Sequence, residues 1–103
     1  MTQRAYPALQ VNASGANLAT GAASASVAIP NNAAGQKARF VRVLATAACY
    51  VRLGGSGVTA AVADLYVDAG GAGALVLNVL GSTHIAAIQV AAAGLLNVTP
   101  LDD

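Results

Sequence analysis

The sequence predicts an all-β domain, a small β-sandwich of about seven to nine short strands, in either a jelly-roll or an Ig-like topology. Short runs of β-branched and aromatic residues recur along the chain, and Gly, Pro and Asn separate them. Helix signals are poor although 26 of the 103 residues are Ala, because Gly, Asn, Ser and Thr interrupt the alanines. No long apolar stripe with a 3.6-residue period is present.

The strands are clearest in the second half of the chain. Residues 49–53 alternate, which places Cys49, Val51 and Leu53 on the core face and the two residues between them outward. Further strands are predicted at 64–68, with Leu65 and Val67 inward, at 74–80, at 84–91 and at 95–99. The run 84–91 is almost continuously apolar, which predicts burial on both faces. Pro100 is expected to end the last strand, because proline cannot donate to a ladder.

The first half of the chain gives weaker signals. Strands are predicted at 39–45 and 24–29, and turn residues at 30–35 predict a loop between them. Residues 8–20 are ambiguous and are expected to hold one or two short strands. Residues 1–7 are predicted to form a flexible N-terminal arm and 102–103 a C-terminal tail, which leaves one sandwich domain at 8–101.

Charged residues are scarce in this chain. They make up 9% of the sequence, with no Glu, against about 25% in an ordinary soluble domain. A surface with so little charge indicates contact with other protein. The alternative is a soluble domain whose surface is built from Ser, Thr, Asn, Gly and Ala.

Overall charge and hydropathy argue against several partners. The net charge of +1 offers no electrostatic case for nucleic acid or an anionic membrane. No apolar run approaches the roughly 20 residues of a membrane-spanning helix. The N-terminal residues lack the apolar core of a signal peptide, so we expect synthesis in a cytosol, followed by retention there or departure inside a larger particle.

The chain shows no convincing catalytic constellation. His84 is the one histidine, and a Ser-His-Asp triad would need Ser56 or Ser82 together with Asp64 or Asp68. The stretch around Ser56 lacks the G-x-S-x-G elbow of serine hydrolases. We therefore expect no enzyme, no catalytic residue and no small-molecule substrate, with His84 at the rim of a strand.

Metal, phosphate and redox sites are not expected either. One Cys and one His cannot make a zinc site, and Asp64 and Asp68 lie four residues apart on one strand, about 13 Å. The glycine clusters at 54–57 and 70–73 are not followed by Lys-Ser or Lys-Thr, so they are interpreted as hairpin turns. Cys49 is expected to be a small buried hydrophobic residue. No cofactor is predicted.

The basic residues do not form a nucleic-acid stripe. Arg39 and Arg42 are expected on opposite faces of their strand, and aromatic platforms for single-stranded nucleic acid are missing. Arginine is enriched at protein interfaces. We therefore interpret these two side chains, together with Arg52 and Lys37, as residues of a protein interface.

Four stretches resemble small virion proteins of tailed bacteriophages. Residues 41–43 and 50–54 together have the pattern V-R-V…Y-V-R-L-G. The other two stretches are residues 81–88 and residues 96–100. The resemblance extends over residues 24–101 and includes a chain length of about 100 residues, an Ala-, Gly- and Thr-rich composition and few charges. It implies a structural protein of about 100 residues, of the kind that includes capsid decoration, or cement, proteins, and it carries no catalytic residues.

The resemblance implies a set of partners and a location. The expected partners are the major capsid protein and the chain itself, as a homotrimer or homodimer, on the capsid surface of a virion assembled in a bacterial cytoplasm. Two alternatives remain open: a tail, connector or fibre-base component of the virion, and a β-sandwich module that binds carbohydrate or a cell surface, for which Tyr6, Tyr50 and Tyr66 are the candidate aromatic residues.

Overall fold

The computed structural model describes residues 14–33, 35–70 and 74–101, and within these ranges the protein is all-β. The predicted arm at 1–7, the tail at 102–103 and the first part of the ambiguous stretch, 8–13, lie outside the described residues. The strands are β1 Ala16–Ala19, β2 Ala25–Ala28, β3 Phe40–Ala45, β4 Cys49–Gly54, β5 Leu65–Val67, β6 Leu75–Asn78, β7 His84–Gln89 and β8 Leu95–Leu101.

The strands form two four-stranded antiparallel sheets. Sheet 1 has the order β1-β8-β3-β6 and sheet 2 the order β2-β7-β4-β5. Consecutive strands therefore alternate between the sheets, except that β4 and β5 are neighbours in sheet 2. This order is that of a jelly roll, which decides between the two sandwich topologies that the sequence left open.

The core lies between the sheets and is made of alternate residues from each strand. On β3, Val41, Val43 and Ala45 are buried, and on β4, Cys49 and Val51 are buried, as the alternation predicts. The other large buried apolar side chains come from both sheets and the connections: Leu18, Val67, Val79, Ile85, Leu96 and Val98. Aliphatic side chains of modest size thus supply most of the hydrophobic stabilisation.

The second glycine cluster is a correction to the sequence analysis. Residues 70–73 were predicted to form a hairpin turn, but β5 belongs to sheet 2 and β6 to sheet 1. The connection therefore crosses from one sheet to the other. Residues 71–73 lie outside the described residues, and glycine-rich turn chemistry does not determine whether the chain returns to its own sheet.

Pro100 is a second correction. It lies inside β8, fully buried, and the strand continues to Leu101. Pro100 is in register with Val41 of β3, whereas β1 pairs with β8 only as far as Val98. Among the described residues Pro100 thus has a strand on one side only, and a proline is tolerated where its missing N–H is not needed by a second neighbour.

The remaining predicted strands agree with the structure to within a few residues. The loop at 30–35 is a turn in which Asn32 receives hydrogen bonds from the backbone N–H groups of Gly35 and Gln36. Within the described ranges, no helix is long and apolar enough to cross a membrane.

Candidate interaction surface

The outer face of sheet 1 carries a cluster of uncharged polar side chains beside one arginine. Asn97 on β8 donates from Nδ2 to Oδ1 of Asn17 on β1, at 2.9 Å, and the Thr99 hydroxyl donates to Oδ1 of Asn97, at 2.8 Å. Arg42 lies opposite Thr99 in the register of β3 and β8. Amide and hydroxyl groups that satisfy one another in this way present a surface that costs less to desolvate than one of free charges.

The outer face of sheet 2 is crossed by the connection between β4 and β5. We call residues 55–64 the crossing segment. It leaves β4 at Gly54, and the backbone N–H of its residue Ala60 donates to the Ser24 hydroxyl, at 2.8 Å. Ser24 precedes β2, and β7 lies between β2 and β4, so the segment passes over the outer face of β7 before it returns to β5.

The crossing segment explains why β7 is buried on both faces. Ala86 is in register with Ser26 and Arg52, residues of the outer face, yet it is fully buried, as is Ala87 on the core face. The prediction of burial on both faces is confirmed for residues 85–87, whereas Val90 and Ala91, which it included, lie beyond β7 and are exposed. The crossing segment also packs closely on the end of β4, where a Cβ added at Gly54 would lie 2.9 Å from a methyl group of Val58.

A strained turn in the crossing segment exposes an apolar side chain. Asp64 donates its backbone N–H to the carbonyl of Ala61, at 3.1 Å, which closes a turn over Val62 and Ala63. Ala63 has a φ of 84°, in the region that favours glycine. Val62 beside it is 71% exposed. The backbone is thus held in a costly conformation that presents an aliphatic residue to solvent.

The outer face of sheet 2 also carries a tyrosine pair at its edge. Tyr50 of β4 and Tyr66 of β5 are in register, with ring centroids 5.8 Å apart and an interplanar angle of 66°. Tyr66 is 48% exposed, and Leu65 next to it is 45% exposed. We call Tyr50, Leu65 and Tyr66 the tyrosine patch. The two tyrosines lie on the outer face, whereas Leu65 projects from the opposite face of the same edge strand. Large apolar and aromatic side chains exposed at one sheet edge are typical of protein interaction sites.

Leu65 departs from its predicted environment. It was predicted to lie inward with Val67, and the register does place it on the side of Val51, which faces the core. It is nevertheless exposed, because β5 is the edge strand of sheet 2 and has three residues. Alternation predicted the direction of the side chain but could not predict that the strand lies at an edge.

One ion pair fastens the crossing segment to the sheet. Arg52 Nη2 lies 2.8 Å from Oδ1 of Asp64, and Oδ2 of Asp64 accepts the backbone N–H of Ala61. The Arg52 side chain is 57% exposed, so the pair contributes little to stability, about 0.2–1 kcal/mol for such pairs. Its effect is to position the turn that carries Val62.

The residues considered for a catalytic triad do not assemble into one. Ser82 and His84 line the same hollow at one end of the sandwich, but Nδ1 of His84 lies 2.9 Å from the Thr83 hydroxyl. Asp64 is engaged by Arg52, and Asp68 accepts the backbone N–H of Ala69. The position of His84 as the first residue of β7 agrees with the predicted place at a strand rim.

Cys49 is buried in the core, as predicted, and burial raises the pKa of its thiol. The described residues hold no group of three or more metal-ligating side chains. The basic residues are dispersed: Arg42 is on the outer face of sheet 1, Arg52 on that of sheet 2, and Arg39 precedes β3, with its guanidinium carbon 5.7 Å from the centre of the Phe40 ring.

Comparison with known proteins adds no family to this description. No family model, no curated protein and no solved structure matches the chain.

No sequence signal predicts the strained Val62–Ala63 turn. Val62 stands in an Ala- and Val-rich stretch that carries no turn signal, and Ala63 occupies a position where Gly would mark a turn. Contacts with residues outside the segment fix its path, among them the hydrogen bond of Ala60 to Ser24, 36 residues earlier in the chain.

Proposed function

We propose that the chain is a structural protein of a bacteriophage virion, a capsid decoration protein that binds between major capsid subunits and stabilises the head. The observation that carries the proposal is an exposed apolar surface on a sandwich with few charges. Seven large hydrophobic side chains are exposed among the described residues: Val62, Leu65, Tyr66, Val76, Leu80, Val90 and Leu95.

The fold supports this proposal by analogy. Jelly rolls form viral capsid domains, although lectins and cupins share the topology, so the fold by itself does not assign a function. The chemistry of the faces suits repeated docking. Weak contacts of neutral side chains, used many times by symmetry, sum to tight attachment without a deep pocket.

The tyrosine patch is the surface that we propose to meet the capsid. Aromatic residues are enriched at the energetic centres of protein interfaces, and Arg52 beside Tyr50 is of a type enriched there too. The edge strand β5 places Leu65 and Tyr66 at the border of the sheet, where a neighbouring subunit can reach them without displacing the core.

Copy number in purified particles tests the virion role. Particles of the phage that encodes the chain are banded on a density gradient, and the chain is quantified by mass spectrometry against the major capsid protein. Hundreds of copies in simple stoichiometry are expected for decoration. A few to a few dozen copies would instead assign a tail, connector or fibre-base part, and absence from the particle would overturn the virion role.

Matched substitutions test the patch. The double change Leu65→Ser and Tyr66→Ser should weaken binding to undecorated heads by at least about 10-fold, because it removes two exposed apolar anchors. Val76→Ser is the control, since Val76 is 53% exposed on β6 of the other sheet. Equal binding by the two proteins would show that the patch is not the docking surface.

The carbohydrate-binding alternative has one observation in its favour, the exposed tyrosines. However, with an interplanar angle of 66° the rings of Tyr50 and Tyr66 do not form one flat platform on which a sugar could stack. Saturable binding to a glycan array by the intact chain, lost in Tyr66→Ser, would favour this alternative.

A further inference from the structure

The turn between β6 and β7 holds a leucine in an unfavourable conformation. Ser82 donates its backbone N–H to the carbonyl of Val79, at 3.0 Å, and the two central residues, Leu80 and Gly81, have φ values of 53° and 80°. Positive φ at both positions defines a type I′ turn, whose first central position favours Asn, Asp or Gly. A leucine there carries a steric cost, because its Cβ lies too close to the following carbonyl oxygen.

Packing of the Leu80 side chain inside the molecule does not compensate for this steric cost. The side chain is 84% exposed, the highest value among the exposed large hydrophobic residues of the described chain. Ala63 and Leu80 are the two non-glycine residues with positive φ in the described ranges, and their turns hold the two most exposed large hydrophobic side chains, Val62 and Leu80. Strain of this kind, combined with apolar exposure, indicates a contact outside the monomer.

A hollow lies beside the same turn. It has a volume of about 200 Å³ and is lined by apolar residues that include Ile29, Ala38 and Val79, with Ser82 and Thr83 contributed by the β6–β7 connection itself. A cavity of about 150 Å³ with aliphatic and aromatic walls stays dry and takes up benzene. This hollow thus has room for the side chain of a leucine.

We propose that Leu80 of one copy of the chain inserts into this hollow of a second copy, and that the two copies are related by a two-fold axis. The side chain that inserts and the hollow that receives it lie next to each other, at the end of the sandwich where β2 and β6 finish and β7 begins. Two copies facing each other at this end satisfy both contacts at once, and the contact closes at a dimer.

The lining of the hollow favours a second copy over an acidic protein. Lys37 and Arg39 border this end, and acidic groups of a different partner could approach them. The wall beneath is aliphatic, however, and suits an alkyl side chain. Lys37 and Arg39 are exposed, so the repulsion between two copies is screened by salt over about 8 Å.

The association is expected to be weak in isolation. The apolar area that two leucines bury is small, and most of its contribution offsets the entropy lost on association, so the dimer is weak. Such a contact becomes effective where copies are held at high local concentration. The inference does not depend on the virion role, because it concerns the purified chain alone.

Sedimentation velocity of the full chain from about 10 µM to about 1 mM tests the proposal. The wild type should form a concentration-dependent dimer that persists in about 0.5 M sodium chloride. Leu80→Asn should weaken the dimer at least about 10-fold and raise the Tm, since Asn suits the first position of the turn. Ser82→Phe, which fills the mouth of the hollow, should also weaken the dimer while Leu80 is retained.

Val62→Asn is the matched control, since it removes an exposed apolar residue from the other strained turn and should leave the dimer unchanged. A wild type that stays monomeric over the whole range would overturn the proposal. A dimer that is unaffected by Leu80→Asn, or one that dissociates in the added salt, would overturn it as well, the latter by showing that charge holds the copies together.

Discussion

The buried thiol of Cys49 makes the stability of the folded chain depend on pH. Cys49 is the first residue of β4, is in register with Val67 and Gln89 on the two flanking strands, and has no exposed surface. Desolvation by burial raises the pKa of its thiol, because the core disfavours the thiolate. The residue therefore acts as a small hydrophobic residue whose ionisation opposes folding.

This pKa shift predicts a loss of stability in alkaline solution. In the unfolded chain the thiol ionises above about pH 8.5, whereas in the folded chain it keeps its proton to a higher pH. The unfolded state therefore binds fewer protons in that window, and the free energy of unfolding falls as pH rises through it. Urea titrations of the wild type between about pH 7 and pH 10 should show this decline.

Cys49→Ala is the control for that measurement. It should be less stable at neutral pH, because it removes a buried sulfur, but its stability should fall less steeply over the same pH window. Identical slopes for the two proteins would mean that groups other than Cys49 account for the whole decline.

At the scale of elements, the crossing segment determines the surface of sheet 2. It contains no strand, and three contacts hold it in place. They are the hydrogen bond of Ala60 to Ser24, the ion pair of Asp64 with Arg52, and the packing of Val58 on Gly54. The first of these is part-buried and spans 36 residues of sequence. Because the segment covers β7, its attachment also excludes solvent from Ala86.

Ser24→Ala should therefore loosen the segment. It leaves the N–H of Ala60 without its acceptor in a part-buried site, with an expected loss of about 1–2 kcal/mol in the free energy of unfolding. Ser26→Ala is the matched control, since Ser26 is exposed on β2, which begins directly after Ser24, and its effect should be within about 0.5 kcal/mol. Amide exchange at residues 60–64 should accelerate in Ser24→Ala alone, and protection equal to wild type would refute this role of Ser24.

At the scale of the whole molecule, the jelly roll joins distant parts of the chain. β1 and β8 are neighbours in sheet 1, and the side chains of Asn17 and Asn97, 80 residues apart, are hydrogen-bonded. Six of the seven connections cross between the sheets, so neither sheet can be completed from one continuous part of the chain. The entropy of closing these loops is lost before the core is formed.

Slow folding is the expected result. Proteins dominated by contacts between distant residues refold in milliseconds to seconds, and we expect refolding from urea to fall in that range. Stopped-flow tyrosine fluorescence can follow it, because the chain has three Tyr and no Trp. Relaxation in microseconds would contradict this account of the topology. The rate should be independent of protein concentration, which separates folding from association.

The sequence by itself determined the all-β class, the positions of most strands and the direction of their side chains, because alternation and turn residues act locally. It also predicted the doubly buried strand β7 and the burial of Cys49. The sheet to which each strand belongs, the place of Pro100 inside β8 and the exposure of Leu65 were decided only by the tertiary structure. They depend on which strands become neighbours, and the same turn chemistry serves a hairpin and a crossing between sheets. The apolar turns at Val62 and Leu80 belong to this second group, since their backbone strain arises from the paths that the folded sheets impose.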